Sequence, residues 1–250
     1  MKKYKNFIFD LYGTLVDIHT DEDSQKLWDQ MSQLYQSYGA IYKPMELKYA
    51  FRRIERDEKA MLMNKHLSNA SSTEKYYEEI DILNVFERLF TEKNTIVSKD
   101  TVISMAYTFR MLSRAYIRCY KNVKELLVEL KKIGNVYLLS NAQAVFTEPE
   151  IRLLGLDQYF DDMFLSSDFE YRKPDGRYLL KLIEKHDLNK EECIMIGNDV
   201  HDDIGVANAA GIDSIYIHSN LSGKYKLPID ATYIIKNGRI NQIKQILLNQ

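Results

Sequence analysis

The stretch "KNFIFDLYGTLVD", residues 5–17, decides how the rest of the chain is read. Phe7, Ile8 and Phe9 form an apolar run that ends on a carboxylate, Asp10, and a Tyr12-Gly13-Thr14 turn follows at once. A short run with no polar alternation is what a strand buried on both faces requires. Comparable runs recur at "VYLLSN", "MFLSS", "CIMIGN", "SIYIH" and "TYIIK". Helical patterns lie between them, at "VKELLVELKKIG", "EPEIRLLG", "GRYLLKLIEKHDL" and "DIGVANAAG", and "INQIKQILL" ends the series. Strand and helix in short alternation predict an α/β fold, a Rossmann-like doubly wound parallel sheet with helices on both faces.

Between Asp21 and about Arg118 the texture changes to helix after helix. "DEDSQKLWDQMSQLYQSYG" carries Leu27, Trp28, Met31, Leu34, Tyr35 and Tyr38 at helical spacing and stops at Gly39. Pro44 opens the next helix. "STEKYYEEIDILNVFERLF" predicts a helix capped by Ser72 or Thr73, with a stripe through Tyr76, Ile80, Leu83, Phe86, Leu89 and Phe90. "SKDTVISMAYTFRMLSRAYIR" continues the helical reading. The expected organisation is a core of residues 1–17 plus 119–250, with a helical insert over 18–118.

The composition excludes several function classes. Lys and Arg total 34 against 36 Asp and Glu, so a near-neutral surface serves neither nucleic acid nor an anionic membrane. No apolar run approaches membrane-spanning length or the form of a signal peptide, which predicts a cytoplasmic protein. The two cysteines, Cys119 and Cys193, lack metal or redox spacing and read as buried thiols.

In open parallel sheets, ligands bind beyond the carboxyl ends of the strands. Those ends carry Asp10, then Ser140 and Asn141, then "SDFEYRKPD" with Lys173, then "GNDVHDD" with Asn198, Asp199, Asp202 and Asp203. Each alone has a plain reading as turn former, helix cap or solvated charge. Four such clusters converging on one rim are far more specific.

Together, "FDLYGTL", "LLSN", "RKPD" and "IGNDVHDDI" resemble the four motifs of the haloacid dehalogenase superfamily, over roughly residues 5–17 and 119–218. The resemblance implies a hydrolase that uses Asp10 as nucleophile, with the insert as a helical cap. Thr14 and Ser140 would hydrogen-bond the transferring group, beside Gly13 and Asn141. Lys173 would neutralise the charge gathered there. An all-oxygen set of Asp10, the Tyr12 carbonyl and either Asn198 or Asp199 suits Mg2+, and Asp203 would hold Lys173 or a metal-bound water.

Two departures matter. Family motifs of this kind carry an acid where this chain has Asn198. Phosphatases of the superfamily also carry an acid/base Asp at the position of Tyr12, whose phenol titrates near ~10 and is a poor base at neutral pH. Tyr12 packs under the cap or lends its hydroxyl, and the proton-transfer role then moves to His19 or His201, of which His19 is the favoured candidate. Mg2+-dependent hydrolysis of a small anionic, phosphorylated metabolite is the first expectation. Metal-independent 2-haloacid dehalogenation is the alternative, because its first motif shares the Tyr-Gly-Thr. Against it stand the acid-rich "GNDVHDD" and a tyrosine, Tyr178, five rather than six positions after Lys173. A phosphate-ligand binding module is the reading from another class. Arg52, Arg53, Arg56, Lys65 and His66 are the cap residues whose direction would set substrate choice.

Overall fold

The computed structural model describes residues 4–69, 76–224 and 228–248. Its main sheet contains β1 (Asn6–Phe9), β4 (Asn135–Ser140), β5 (Asp162–Leu165), β6 (Cys193–Gly197), β7 (Asp213–Ile217) and β8 (Tyr233–Ile235). The strand order is β5-β4-β1-β6-β7-β8, and every pairing is parallel. Phe9 stands opposite Leu138 on one side and Ile196 on the other, so β1 is central. The chain winds outward from β1 to β5 and then crosses to β6, which makes the crevice beside β1 the switch point of a doubly wound α/β sheet.

Burial on both faces explains the unbroken apolar runs. Phe7 and Phe9 join one core with Ile194, Ile196, Leu127 of α5 (Val123–Lys131) and Ile243 of α9 (Ile240–Leu248). Ile8, Leu139 and Met195 face the other way, onto Leu179 and Leu182 of α7 (Gly176–Lys185) and Val206 of α8 (Gly205–Ala210). Helix α6 (Ala144–Leu154) covers the rim beyond β4.

After β1 the chain enters β2 (Val16–Thr20) and the helices α1 (Gln25–Ser37), α2 (Pro44–Asn69), α3 (Ile82–Thr91) and α4 (Lys99–Ser113), then returns through β3 (Arg114–Cys119). Strands β2 and β3 pair antiparallel, Val16 opposite Cys119, so both ends of the helical segment are zipped together. Two helical expectations are corrected here. The helical pattern over 98–118 stops at Ser113, because the following residues gain a ladder with a strand about a hundred positions earlier. Helix α3 starts at Ile82, capped by Asp81, which accepts from the Leu83 amide at 2.9 Å. Ser72 and Thr73 lie outside the described residues. Tyr76 and Ile80 belong to an extended segment that docks on the core. Glu78 bridges antiparallel to Tyr171, the Arg172 amide donates to the Tyr77 carbonyl, and the Glu79 amide to the Glu170 carbonyl.

The helical segment has its own apolar centre. Phe109 stacks on Phe51 at 5.2 Å and meets Trp28 and Phe86 edge-on at 5.7 and 5.5 Å. Replacing Phe109 with Ala is expected to destabilise this layer by ~3–5 kcal/mol, through lost transfer energy and the cavity left behind. Urea unfolding followed through Trp28, the only tryptophan, measures the loss. Cys193 is buried, Cys119 is only partly so, and neither forms a disulfide among the described residues. Among the described residues no helix is long and apolar enough to cross a membrane.

Candidate active site

The Asp10 carboxylate stands at the end of β1, 7% exposed, and the Asp10 amide donates to the Ile196 carbonyl at 2.9 Å. The chain then folds back tightly. The amides of Leu15 and Val16 both donate to the Leu11 carbonyl, and Gly13 takes φ +91°. A side chain there would be strained by that backbone, and a Cβ would lie 2.4 Å from Asn198 Nδ2. Only glycine fits both demands. The turn carries Thr14 back under Asp10, with its Oγ1 3.0 Å from Asp10 Oδ2 and 3.1 Å from Asn198 Oδ1.

Lys173 arrives from the loop after β5. Its Nζ donates to Asp10 Oδ1 at 2.7 Å, Asp203 Oδ1 at 2.6 Å and the Leu139 carbonyl at 2.9 Å, which uses all three of its hydrogens. Burial opposes this charge, but the carboxylates of Asp10 and Asp203 outweigh it and hold the ammonium above its usual range. Asp203 is wholly buried, and its carboxyl is pushed up to about 7 by that burial, with Lys173 pulling the other way. Its second oxygen accepts from the Asp199 amide. Gly197 leaves it room, since a Cβ there would sit 2.2 Å from Asp203.

Ser140, at the end of β4, lines the same cavity of about 190 Å³ as Asp10, Lys173 and Asn198. The Asn141 side chain is committed elsewhere. It accepts from the Lys173 amide and donates to the Lys173 carbonyl and to Asp202, so it fixes the lysine rather than offering its amide to the cavity. Asp199 caps the turn after β6, accepting from the amides of His201 and Asp202 at 2.8 Å. Asn198 is thus the residue whose side-chain oxygen lies in the Thr14–Asp10 cluster.

His19 is corrected. It sits exposed on β2, its ring 6.0 Å from Tyr116 of β3, and does not line this cavity, because strand pairing fixes its direction. His201 is also exposed, beside Asp202. Tyr12 lines the cavity, but its hydroxyl donates to Glu150 Oε2 at 2.5 Å and lies 3.1 Å from Thr147. Glu150 is itself buried, and it accepts from Arg110 and Arg114. Burial would raise its carboxyl, but hydrogen bonds from Arg110, Tyr12 and Arg114 hold it below the ordinary range. Burial and the Glu150 charge push the Tyr12 phenol up. Glu150 is a residue the sequence reading missed. A glutamate one turn after Phe146, on the apolar face of α6, was the available signal.

A second cavity, of about 320 Å³, lies between the helical layer and the sheet and shares Tyr12 and Asn141 with the first. Phe51, Phe109 and Phe146 wall it, with Glu22, Arg52, Glu55, Lys59, Glu79 and Arg110 as its charged lining. Of the basic residues in doubt, only Arg52 reaches it, already paired with Glu22 and Glu55. Arg53 turns to Glu92, Lys65 to Glu170, and His66 stacks on Tyr76.

The donor set near Asp10 suits a hard cation. Among the described residues no three His, Cys, Asp or Glu side chains converge as a metal cluster. One carboxylate and one amide oxygen do converge on a single hydroxyl, and one hydrogen cannot satisfy both acceptors at once. Oxygen ligands of this kind fit Mg2+.

The chain is similar to several characterised proteins. It is 26% identical to the glyceraldehyde 3-phosphate phosphatase of Methanothermobacter thermautotrophicus over 56% of this chain, and spans less than two thirds, 63%, of that relative. It is 27% identical to the pyrimidine 5'-nucleotidase PynA of Streptococcus pneumoniae, over 85% of this chain and 83% of that one. The 2-haloacid dehalogenase structure from Pseudomonas syringae pv. Tomato DC3000 shares the fold, with a TM-score of 0.65 at 17% identity over 98% of this chain and 99% of that one. The family model of the haloacid dehalogenase-like hydrolases matches residues 4–211, and the chain belongs to that family of hydrolases.

Proposed function

We propose that the chain hydrolyses phosphate monoesters of a small metabolite, with Asp10 as nucleophile. The observation that carries this reading is the pairing of the Asp10 carboxylate with the Lys173 ammonium at 2.7 Å, on the wall of a small cavity that also holds Ser140. A carboxylate so placed attacks phosphorus and splits one hard displacement into two easier ones. Thr14 and Ser140 hydrogen-bond the phosphoryl oxygens, and Lys173 stabilises the negative charge that gathers on transfer. The helices α1 to α4 act as the cap, and the leaving group occupies the larger cavity beneath them. The phosphatase and nucleotidase relatives support a phosphorylated substrate.

Asp10, the Tyr12 carbonyl and Asn198 would hold Mg2+, with Asp199 left to its cap. A bound cation supplies charge neutralisation at the phosphoryl group. Asp203 acts as the second anchor of Lys173.

The dehalogenase alternative loses support from Tyr178, which is fully buried and donates to the Ser140 carbonyl at 3.2 Å instead of facing the cavity. Phosphate release from p-nitrophenyl phosphate with Mg2+ tests the reading. Activity should vanish on chelation and return when Mg2+ is restored. Chloride release from 2-chloropropionate without metal would overturn it.

A further inference from the structure

We propose that Glu79, on the extended segment that precedes α3, is the catalytic proton donor and acceptor that position 12 lacks. This rests on the phosphatase reading above. An alkoxide or phenoxide leaving group needs a proton, and Tyr12 cannot give one while its phenol is bound to Glu150. Glu150 has none to give, since two guanidiniums hold it.

Glu79 differs from both in position and in pairing. The backbone bridge between residues 77–79 and 170–172 seats it on the loop that delivers Lys173. It lines the larger cavity, and its partners Gln143 and, through Ser166, Ala142 follow directly on Asn141, which with Tyr12 lines both that cavity and the one holding Asp10. A leaving group in the larger cavity, with its phosphoryl end at Asp10, passes this junction.

The contacts of Glu79 suit a group that alternates between two protonation states. Oε2 lies 2.5 Å from the Ser166 hydroxyl, and Oε1 accepts from Gln143 Nε2 at 3.1 Å. Ser166 also lies 3.4 Å from the Ala142 carbonyl and accepts from the Ala142 amide. The hydroxyl donates to Glu79 when that carboxylate is ionised. When Glu79 is protonated, Ser166 accepts from it and turns its own hydrogen to Ala142. The cations that face Glu79 are engaged by other acids: Arg172 by Asp202 and Lys59 by Glu55. Glu22 and Glu55, both paired with Arg52, and Arg110 complete the charged lining on the cap side. Burial accordingly raises the Glu79 carboxyl above its ordinary range, against smaller opposing effects of Ser166, Arg172 and Lys59.

In the first half-reaction an Asp10 oxygen bonds to phosphorus as the bond from phosphorus to the leaving oxygen breaks. The carboxylic proton of Glu79 passes to that oxygen and the alcohol departs. In the second, water bonds to phosphorus and gives one proton to the Glu79 carboxylate. The Asp10–phosphorus bond breaks, and hydrogen phosphate, the Asp10 carboxylate and protonated Glu79 result.

The test compares phenyl phosphate with p-nitrophenyl phosphate in wild type, Glu79→Gln and Asp10→Asn, all with Mg2+. Nitrophenolate leaves without protonation, whereas phenolate gains from it. Glu79→Gln should lose ~10²–10⁴-fold in phenol release in single turnover. It should still give a burst of about one equivalent of nitrophenol, followed by slow turnover as the phosphoenzyme accumulates. A merely structural role would slow both esters by the same factor, and equal loss, or none, overturns the proposal. If the variant does not fold, the wild-type pH profile decides. Phenol release should fall as pH rises through the Glu79 titration while the nitrophenol burst does not, and parallel profiles overturn it. A wild type silent on both esters, or an active Asp10→Asn, sinks the phosphatase reading itself. An active wild type and a dead Asp10→Asn, with Glu79→Gln treating both esters alike, sinks only the role of Glu79.

Discussion

Asp10→Asn is expected to remove turnover, by ~10⁴–10⁶-fold, while leaving the fold intact. The amide matches the carboxylate in shape, so the Thr14 contact at 3.0 Å survives, but it cannot form the acyl phosphate. The fold is spared for a specific reason. Two carboxylates, Asp10 and Asp203, share the single ammonium of Lys173. Removing one charge from that trio leaves a balanced buried pair of Lys173 and Asp203, at 2.6 Å. The melting temperature should therefore hold or rise as activity disappears. Wild-type enzyme quenched during turnover should carry the mass of one phosphoryl group on the peptide containing Asp10, and the variant none. Residual activity near the wild-type level, or an unphosphorylated Asp10 peptide in active wild type, removes the nucleophile from the mechanism.

The parts of this site that are legible in the sequence are those that local chemistry dictates. A strand buried on both faces favours an unbroken apolar run, so the change from Phe9 to Asp10, or from Leu139 to Ser140, marks where the sheet ends. Gly13 is readable for the same local reason, because the turn after Asp10 demands it. Contacts made across long sequence separations leave no such mark. Strands β2 and β3 stabilise each other across about a hundred residues, and Arg114–Cys119 taken alone continues a helical pattern without a Gly or Pro to end it. The segment at 76–80 likewise carries helical spacing, yet its Glu79 amide and Tyr77 carbonyl are taken by Glu170 and Arg172 of the core, and its Ile80 carbonyl by Gln143. Glu79 and Glu150 acquire their character from partners on other elements. The two guanidiniums that lower Glu150 come from α4 and β3, and the hydroxyl beside Glu79 comes from the turn after β5. His19 fails for a related reason. Its chemistry is suited to proton transfer, but the β2–β3 ladder, invisible in the local sequence, holds it at the surface.

Lys173→Met should be the most damaging single change to the core, because it separates structure from chemistry at one atom. Methionine fills most of the space but leaves Asp10 and Asp203 facing each other without a cation, and leaves the Leu139 carbonyl without its donor. Breaking a buried pair from one side costs ~3–5 kcal/mol, since the remaining charges stay buried. The pH dependence follows in sign. Burial already pushes Asp203 up to about 7 with the ammonium present, and its loss pushes the carboxyl further. An acid whose folded-state pKa lies above its unfolded value binds its proton more tightly when folded. The stability it contributes is therefore present at low pH and lost as pH rises through the folded value. Lys173→Met should accordingly be weakest at neutral and alkaline pH and regain stability on acidification, which urea melts across that range would measure. The double variant Lys173→Met with Asp203→Asn removes one of the two stranded charges. It should recover much of the stability at neutral pH, a coupling that a double-mutant cycle reads directly. It should recover none of the turnover, because Asp10 would still lack the cation that faces the transferring group. Recovery of both together would mean that Lys173 serves only to hold the fold, and equal instability of the single and double variants would mean that the two carboxylates do not share it.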